Sequence, residues 1–288
     1  MSMPYQLGCP AWSIADWKGN FLPANARSSE FLELYSRVFN TVEGNTTFYA
    51  LPRLETAQRW AEQVPAGFKF CFKIPRDISH GMGLMGRPEL LEEFTTFLEP
   101  FAESETLGPV FLQLSHNFGP ARLVEAEQFF TAWPRDLPLA VEVRHSSFFD
   151  DSDHEQRLTE TLSGRSIDRI IFDSRALYHA PAEDPAEAVS QTRKPNLPVR
   201  WRATGKRPFV RFVGRNTPEQ ADPWLEELAP AIAEWIGQGL HPYVFIHAPD
   251  DTFAPPLAER FHRCLRSRLP SLPELDLRAA HSDQLELF

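Results

Sequence analysis

The chain has 288 residues, 42% of them hydrophobic, and carries 29 Lys and Arg against 39 Asp and Glu, a formal charge of −10. That length buries a sizeable core without disulfide staples and suits two small domains or one large barrel. The acidic balance argues against a broad nucleic-acid-binding surface, which needs a basic footprint, yet leaves room for a local basic pocket.

The first residues, "MSMPYQLGCPAW", lack the basic and apolar regions of a signal peptide. No apolar run approaches the length that spans a bilayer. Cys9, Cys71 and Cys264 are widely spaced and show no C-x-x-C pattern, which suits reduced thiols. Together these features predict a cytoplasmic protein without a membrane partner.

"YQLGC" (5–9) opens the chain as a short strand, with Trp12 and Trp17 close behind. "SSEFLELYSRVF" (28–39) then reads as a helix, with Ser28 and Ser29 as cap candidates and Phe31, Leu32, Tyr35 and Phe39 on its apolar stripe. "FNTVEGN" (39–45) is the second strand, "LETAQRWAEQV" (54–64) the next helix, and "FKFCFK" (68–73) the third strand. A long helix follows Pro88, its stripe set by Leu90, Leu91, Phe94, Phe97, Leu98 and Phe101.

The alternation continues. Strands are predicted at 110–114, 139–144, 169–173, 209–213 and 243–247, and helices at 121–133, 153–164, 223–239 and 255–269. The strand runs are nearly continuous in hydrophobicity, as in strands covered on both faces by helices. Eight strand–helix repeats without a Gly-rich first loop predict a single (β/α)8 TIM barrel over residues 1–269, rather than an open doubly wound sheet. The irregular stretch 174–208 is Pro-rich and polar, with at most one short helix. As a long loop after the sixth strand, it is expected over the barrel mouth.

In such a barrel the chemistry sits at the C-terminal strand ends. Glu43 and Asn45 are two apart on the second strand and share a face. Lys73 ends the third strand, with His80 beyond it, and Gln113 ends the fourth. The fifth offers Glu142, Arg144 and His145, the sixth Asp173 with Arg175, the seventh Arg211 with Gly214 and Arg215, and the eighth His247 with Asp250.

A ring of charges at one end of a barrel has two readings. One is an internal salt-bridge plug; the other is a polar pocket whose charges perturb each other's pKa values. In the pocket reading Glu43, Glu142 and Asp173 are the acid–base candidates. Lys73, Arg144 and Arg211 hold an anion, and Asn45, His80, Gln113 and His247 orient it. Lys73 has the chemistry of a Schiff-base lysine, although a salt-bridge role is the commoner one for a strand lysine among carboxylates. His80, His116, His145 and His247 show no metal-binding spacing, so no cofactor is expected, and a divalent metal is the minority reading. Cys9 is expected as a buried small residue, and Trp12, Trp17 and Tyr49 as pocket walls or packing.

Several stretches together resemble the YecE-like family, domain of unknown function 72. They are "GCPAWSIADWKGNFLP", "FNTVEGNTTFYALP", "FKFCFKIPRDISH", "FLQL", "LAVEVRHSSFF", "IIFDSR" and "VRFVGR", in the family's order from residue 8 to about 250. The resemblance implies a TIM barrel with no settled activity. Its motif positions fall on Glu43, Asn45, Lys73, His80, Gln113, Glu142, Arg144, Asp173 and Arg211. This chain departs from the family pattern in "EGNTTFY" where many members have "EINSTFY", in "VG" before Arg215, and in "FIHAPD" on the last strand.

Residues 270–288 read as a separate segment, a tether (270–283) that ends in "HSDQLELF". Gln284, Leu285, Leu287 and Phe288 resemble the pentapeptide, of the form Gln-Leu-Ser/Asp-Leu-Phe, by which bacterial proteins dock on the replicative sliding clamp. Leu285, Leu287 and Phe288 could each contribute about 1.5–3 kcal/mol if buried in a groove, consistent with a micromolar affinity near −8 kcal/mol. The opposing reading has Leu287 and Phe288 packing on their own barrel. The sequence therefore predicts a barrel enzyme of hydrolase or lyase type for a small anion or nucleotide, with a DNA-linked role if the tail docks on the clamp. Its rivals are a non-catalytic anion sensor and a metal-dependent nuclease or isomerase.

Overall fold

The computed structural model describes residues 3–81 and 83–281. Its strands are β1 (Gln6–Gly8), β2 (Thr41–Gly44), β3 (Lys69–Phe72), β4 (Val110–Gln113), β5 (Leu139–Glu142), β6 (Asp168–Asp173), β7 (Phe209–Val213) and β8 (Tyr243–His247). Its helices are α1 (Phe31–Ser36), α2 (Leu54–Glu62), α3 (Arg76–Ser79), α4 (Pro88–Glu103) and α5 (Leu123–Ala132), then α6 (Asp153–Ser163), α7 (Arg175–Tyr178), α8 (Pro185–Arg193), α9 (Asp222–Gly237) and α10 (Ala254–Arg268). None of them is long and apolar enough to cross a membrane.

All eight expected strands are present and every pairing is parallel. They form a curled six-strand sheet in the order β1-β8-β7-β6-β5-β4 and a separate pair, β2-β3. The uninterrupted eight-strand ladder of the expected barrel is thus not formed, for a local reason at each seam. Between β1 and β2 the backbone bond from Glu43 N to Cys9 O at 3.2 Å is joined by side chains that stand in for ladder bonds: Asn40 Oδ1 accepts from Leu7 N at 2.7 Å, and the Tyr35 hydroxyl accepts from Cys9 N at 2.7 Å while donating to Thr41 O at 2.8 Å. Gly8 is required there, because a Cβ would lie 2.0 Å from Thr41 O. Between β3 and β4 the contact is through isolated bridges, Phe70 with Leu107 and Lys73 with Phe111.

The strands' inner face is apolar low down, where Cys71, Phe111, Ala140, Ile170, Phe209, Tyr243 and Phe245 cluster. The outer face packs on the helices. In α4, Phe97 and Phe101 meet Phe72 at ring distances of 5.0 and 4.6 Å. Each such buried ring contributes roughly 1.5–3 kcal/mol.

Three expectations need correction. The first helix is shorter than 28–39, because Ser28–Glu30 forms a 3-10 turn closed by Arg27 and Glu30. The stretch 174–208 holds two helices, α7 and α8, rather than at most one. Asp184 caps α8 by accepting from Glu187 N, with Pro185 in the first turn, where its missing N–H costs little.

The third concerns the tether, which packs against the fold through residue 281. Leu272 and Ala280 are buried, His262 Nε2 meets Pro273 O at 2.8 Å, and His281 Nε2 meets Asn20 O at 2.9 Å. The clamp-like residues Gln284, Leu285, Leu287 and Phe288 lie outside the described residues.

Candidate functional site

Two residues further along five of these strands, the apolar inner face turns polar. Cys71 is followed by Lys73, Phe111 by Gln113, Ala140 by Glu142, Phe209 by Arg211 and Phe245 by His247. The two-residue period of the pleat puts both members of each pair on one face. Glu43, Glu142, Arg211, Lys73, Gln113 and His247 are all buried, so their charges must find partners within the protein.

Arg211 is the hub. Its Nε donates to Glu43 Oε1 at 2.7 Å and its Nη2 to Glu43 Oε2 at 3.1 Å, while Nη1 donates to Glu142 Oε2 at 2.5 Å. Arg144 donates Nε to Glu142 Oε1 at 2.5 Å and Nη2 to Gln113 Oε1 at 2.9 Å. Asn45 Nδ2 donates to Glu43 Oε2 and to Pro10 O, both at 3.0 Å. Burial alone would raise both carboxyls. Arg211 and His247 outweigh it at Glu43 and hold that group well below the usual range, whereas Arg144 and Arg211 bring Glu142 to about 2. Burial lowers His247 to about 4, so at neutral pH it is an uncharged imidazole. Its Nε2 lies 2.9 Å from Glu43 Oε1, which selects the Nε2–H tautomer as donor.

Lys73 behaves differently from the expected salt-bridge partner. It has no carboxylate within ion-pair distance; its Nζ donates to Gln113 Oε1 at 3.0 Å and lies 3.9 Å from the centre of the Phe48 ring. Burial, reinforced by the Arg211 charge, brings it down to about 7. His80 sits at the rim, its Nδ1 2.8 Å from Ser79 Oγ and its ring edge-on to Phe48. Partial burial and the Lys73 charge lower its pKa.

Asp173 is not part of this cluster. Phe172 faces Arg211 and Arg144, so its neighbour turns outward, where Asp173 takes Arg175 Nε and Nη2 at 3.0 and 2.9 Å. Arg175 also reaches Glu227 on α9. His145 accepts from Ser147 N, and Arg215 pairs with Glu187 on α8. Cys9 is buried, its thiol raised by that burial, as befits a packing residue. Trp12 packs on Trp60 and Phe70, Trp17 is stacked on Tyr35, and Tyr49 stands exposed beside Phe48. Among the described residues no group of three or more His, Cys, Asp and Glu converges to hold a metal ion.

Sequence reasoning missed Lys194 and Asp251. Lys194 extends from the segment after α8 and is half-buried. Burial lowers its pKa, with Arg211 and Arg144 adding repulsion and Glu43 and Asp251 opposing it. Its Nζ has no hydrogen-bond or ion-pair partner among the described residues. Burial raises Asp251 to about 6. Neither residue lies on a strand, so no strand-end rule finds them.

The segment that carries Lys194 is fastened down. The Tyr178 hydroxyl lies 2.6 Å from both Gln191 O and Lys194 O and shares its one hydrogen between them, and Ser174 Oγ donates to Pro195 O at 2.6 Å. Arg200 joins Glu155 and Arg169 in a further ion cluster. A groove of about 860 Å³ lies elsewhere, at the N-terminal ends of β5 to β7 beside Arg165 and Arg207.

A curled parallel sheet wrapped in helices, with a charged layer at the C-terminal strand ends, defines an α/β protein of barrel-like build. The family described as "Protein of unknown function DUF72" matches residues 6–279, and the chain belongs to it. The UPF0759 protein YecE of Escherichia coli (strain K12) is 37% identical over 266 residues, covering 92% of this chain and 94% of that protein. The UPF0759 protein YunF of Bacillus subtilis (strain 168) is 25% identical over 219 residues, 73% of this chain and 70% of that protein. Among solved structures, a DUF72 family protein of Thermotoga maritima superposes with TM-score 0.70 at 24% identity, covering 93% of this chain and 99% of that one. One of Enterococcus faecalis gives TM-score 0.70 at 21% identity, covering 98% and 100%. These likenesses show the fold.

Proposed function

We propose that the eight strands act as the staves of one barrel and that its charged end binds a small anionic substrate, bearing phosphate or carboxylate, for hydrolase- or lyase-like chemistry. The observation that carries this reading is a surplus of cations. Lys73, Arg144, Lys194 and Arg211 face three carboxylates, Glu43, Glu142 and, beside Lys194, Asp251, while His247 is neutral. A plug that served stability alone would be charge-balanced, since an unpaired buried charge is costly. Here Lys73 has no carboxylate and Lys194 Nζ has no partner, so an anion would complete the cluster.

Within this reading Glu43 and Glu142 orient the guanidinium groups, since both stay ionised over the working pH range. The group poised near neutrality is Lys73, which suits proton transfer. Gln113 orients it, Arg144 and Lys194 hold the anion, and His80 lies at the rim. Calorimetric titration of inorganic phosphate, sulfate and malonate into the intact chain tests the reading. Binding that weakens about tenfold in Arg144→Met and in Lys194→Met supports it. Absence of binding by all three anions would sink it.

A further inference from the structure

The pocket's lysines say more than that an anion binds. The chain has 24 arginines and five lysines, Lys18, Lys69, Lys73, Lys194 and Lys206. Arginine is the better static clamp for phosphate or carboxylate, because its fork is planar and permanently charged. What lysine offers instead is a primary amine that can lose its proton and attack carbon. A chain so rich in arginine nonetheless places two of its five lysines at the charged end of the strands.

Lys73 is the better placed of the two. It is buried, it stands at the C-terminal end of β3, and no carboxylate fixes it as an ammonium. Gln113 Oε1 accepts from its Nζ at 3.0 Å and so holds the amine while leaving a lone pair free. The Phe48 ring covers it on one side at 3.9 Å. Arg144, which shares Gln113 Oε1 at 2.9 Å, and Arg211 are the neighbouring cations for a substrate's anionic group.

We infer that Lys73 is a covalent amine nucleophile, and that the substrate class is a small aldehyde or ketone that also carries a carboxylate or phosphate. This rests on the anion-binding reading above and narrows it from hydrolase or lyase to imine-forming lyase chemistry. The Nζ lone pair attacks the carbonyl carbon and the C=O π pair moves onto oxygen. A proton passes from nitrogen to that oxygen, giving a carbinolamine. The hydroxyl then takes a proton from solvent and leaves as water, and nitrogen's remaining pair forms the C=N bond of an iminium. One proton is consumed, one water is released, and no oxidant or reductant is needed. The depressed pKa of Lys73 supports the step by supplying free amine at neutral pH.

The test uses the intact wild-type chain, incubated at pH 7 with glyoxylate or pyruvate and sodium cyanoborohydride, which reduces an iminium to a stable secondary amine. Peptide mass mapping then locates the adduct among the five lysines. The expected result is modification of Lys73 about tenfold above Lys18, Lys69 and Lys206, suppressed by excess phosphate and much slower with acetone. Modification spread evenly over the lysines, located on Lys194, unaffected by phosphate, or equally fast with acetone overturns the proposal. Absence of any adduct while phosphate still binds by calorimetry also overturns it but leaves the anion-binding reading standing. Absence of both removes the two together. Because the mapping is done on the wild-type chain, the result does not depend on a variant folding; Lys73→Met is the confirming control.

Discussion

Arg211 and Arg215 leave the same strand end and are both buried, yet they live in different company. Arg215 gives Nε and Nη2 to Glu187 at 3.1 and 2.5 Å and Nη2 to Pro181 O at 2.8 Å. Its task is mechanical, tying α8 and the segment before it to β7, and Glu187, with Glu183 at 3.7 Å, neutralises it. Arg211 spans two carboxylates, but its surroundings add Arg144, Lys73 and Lys194 against one further carboxylate, Asp251, so basic groups outnumber acidic ones. Burial of an ion pair therefore says little about function. The charge that remains after pairing is the informative quantity, and it separates the two arginines.

The sharpest way to break this contrast is Arg215→Met. It leaves Glu187 buried without its guanidinium and is expected to cost about 3–5 kcal/mol in urea unfolding, most of it recovered by adding Glu187→Leu. The same double substitution at Arg211 and Glu43 is expected to leave phosphate binding impaired even where stability returns. Lys73→Met comes next and has the opposite sign. The folded-state pKa of Lys73, about 7, lies below its ordinary value of 10.5, so between those pH values the folded chain holds fewer protons than the unfolded one. Stability then rises with pH across that window, and the penalty is complete below pH 7. Thermal melts of Lys73→Met are expected to show a gain of about 2–4 kcal/mol at pH 6 that fades toward pH 10.

His247 gives a smaller effect. Its folded value of about 4 lies below 6.5, so the unfolded chain takes up a proton first as pH falls. Stability drops through that window by up to about 1.4 kcal/mol per pH unit, and His247→Gln is expected to flatten this part of the profile. Below it, protonation of Glu43 removes its pairing with Arg211. The smallest stability change is expected for Arg144→Met, under about 1 kcal/mol because the side chain is partly exposed, although phosphate affinity should fall about tenfold.

Strand positions were legible because a parallel sheet's inner and outer faces are both apolar, which makes each strand a short continuous run. The same continuity hides the pleat parity. In "RIIFD" nothing in the sequence tells which of Phe172 and Asp173 faces inward, and Asp173 turned out to face the helices. Where a polar residue alternates with apolar ones, as with Gln113 and Glu142, the inward face could be read. Lys194 was illegible for another reason. Its place depends on long-range fastenings, Arg215 with Glu187 and Arg200 with Glu155, that no local pattern encodes. Helix α8 was signalled by Asp184 and Pro185, but its polar composition masked it.

The separation of β2 and β3 from the other six strands bears on Arg211 in another way. Glu43 belongs to the two-strand sheet and Arg211 to the six-strand sheet, so their paired hydrogen bonds act as a tie rod between the two. The hem beside β1 is sewn by Asn40 and Tyr35 rather than by a ladder. Tension released at Arg211 would slacken that hem first, and amide exchange at Leu7 and Cys9 would register it before the helices did.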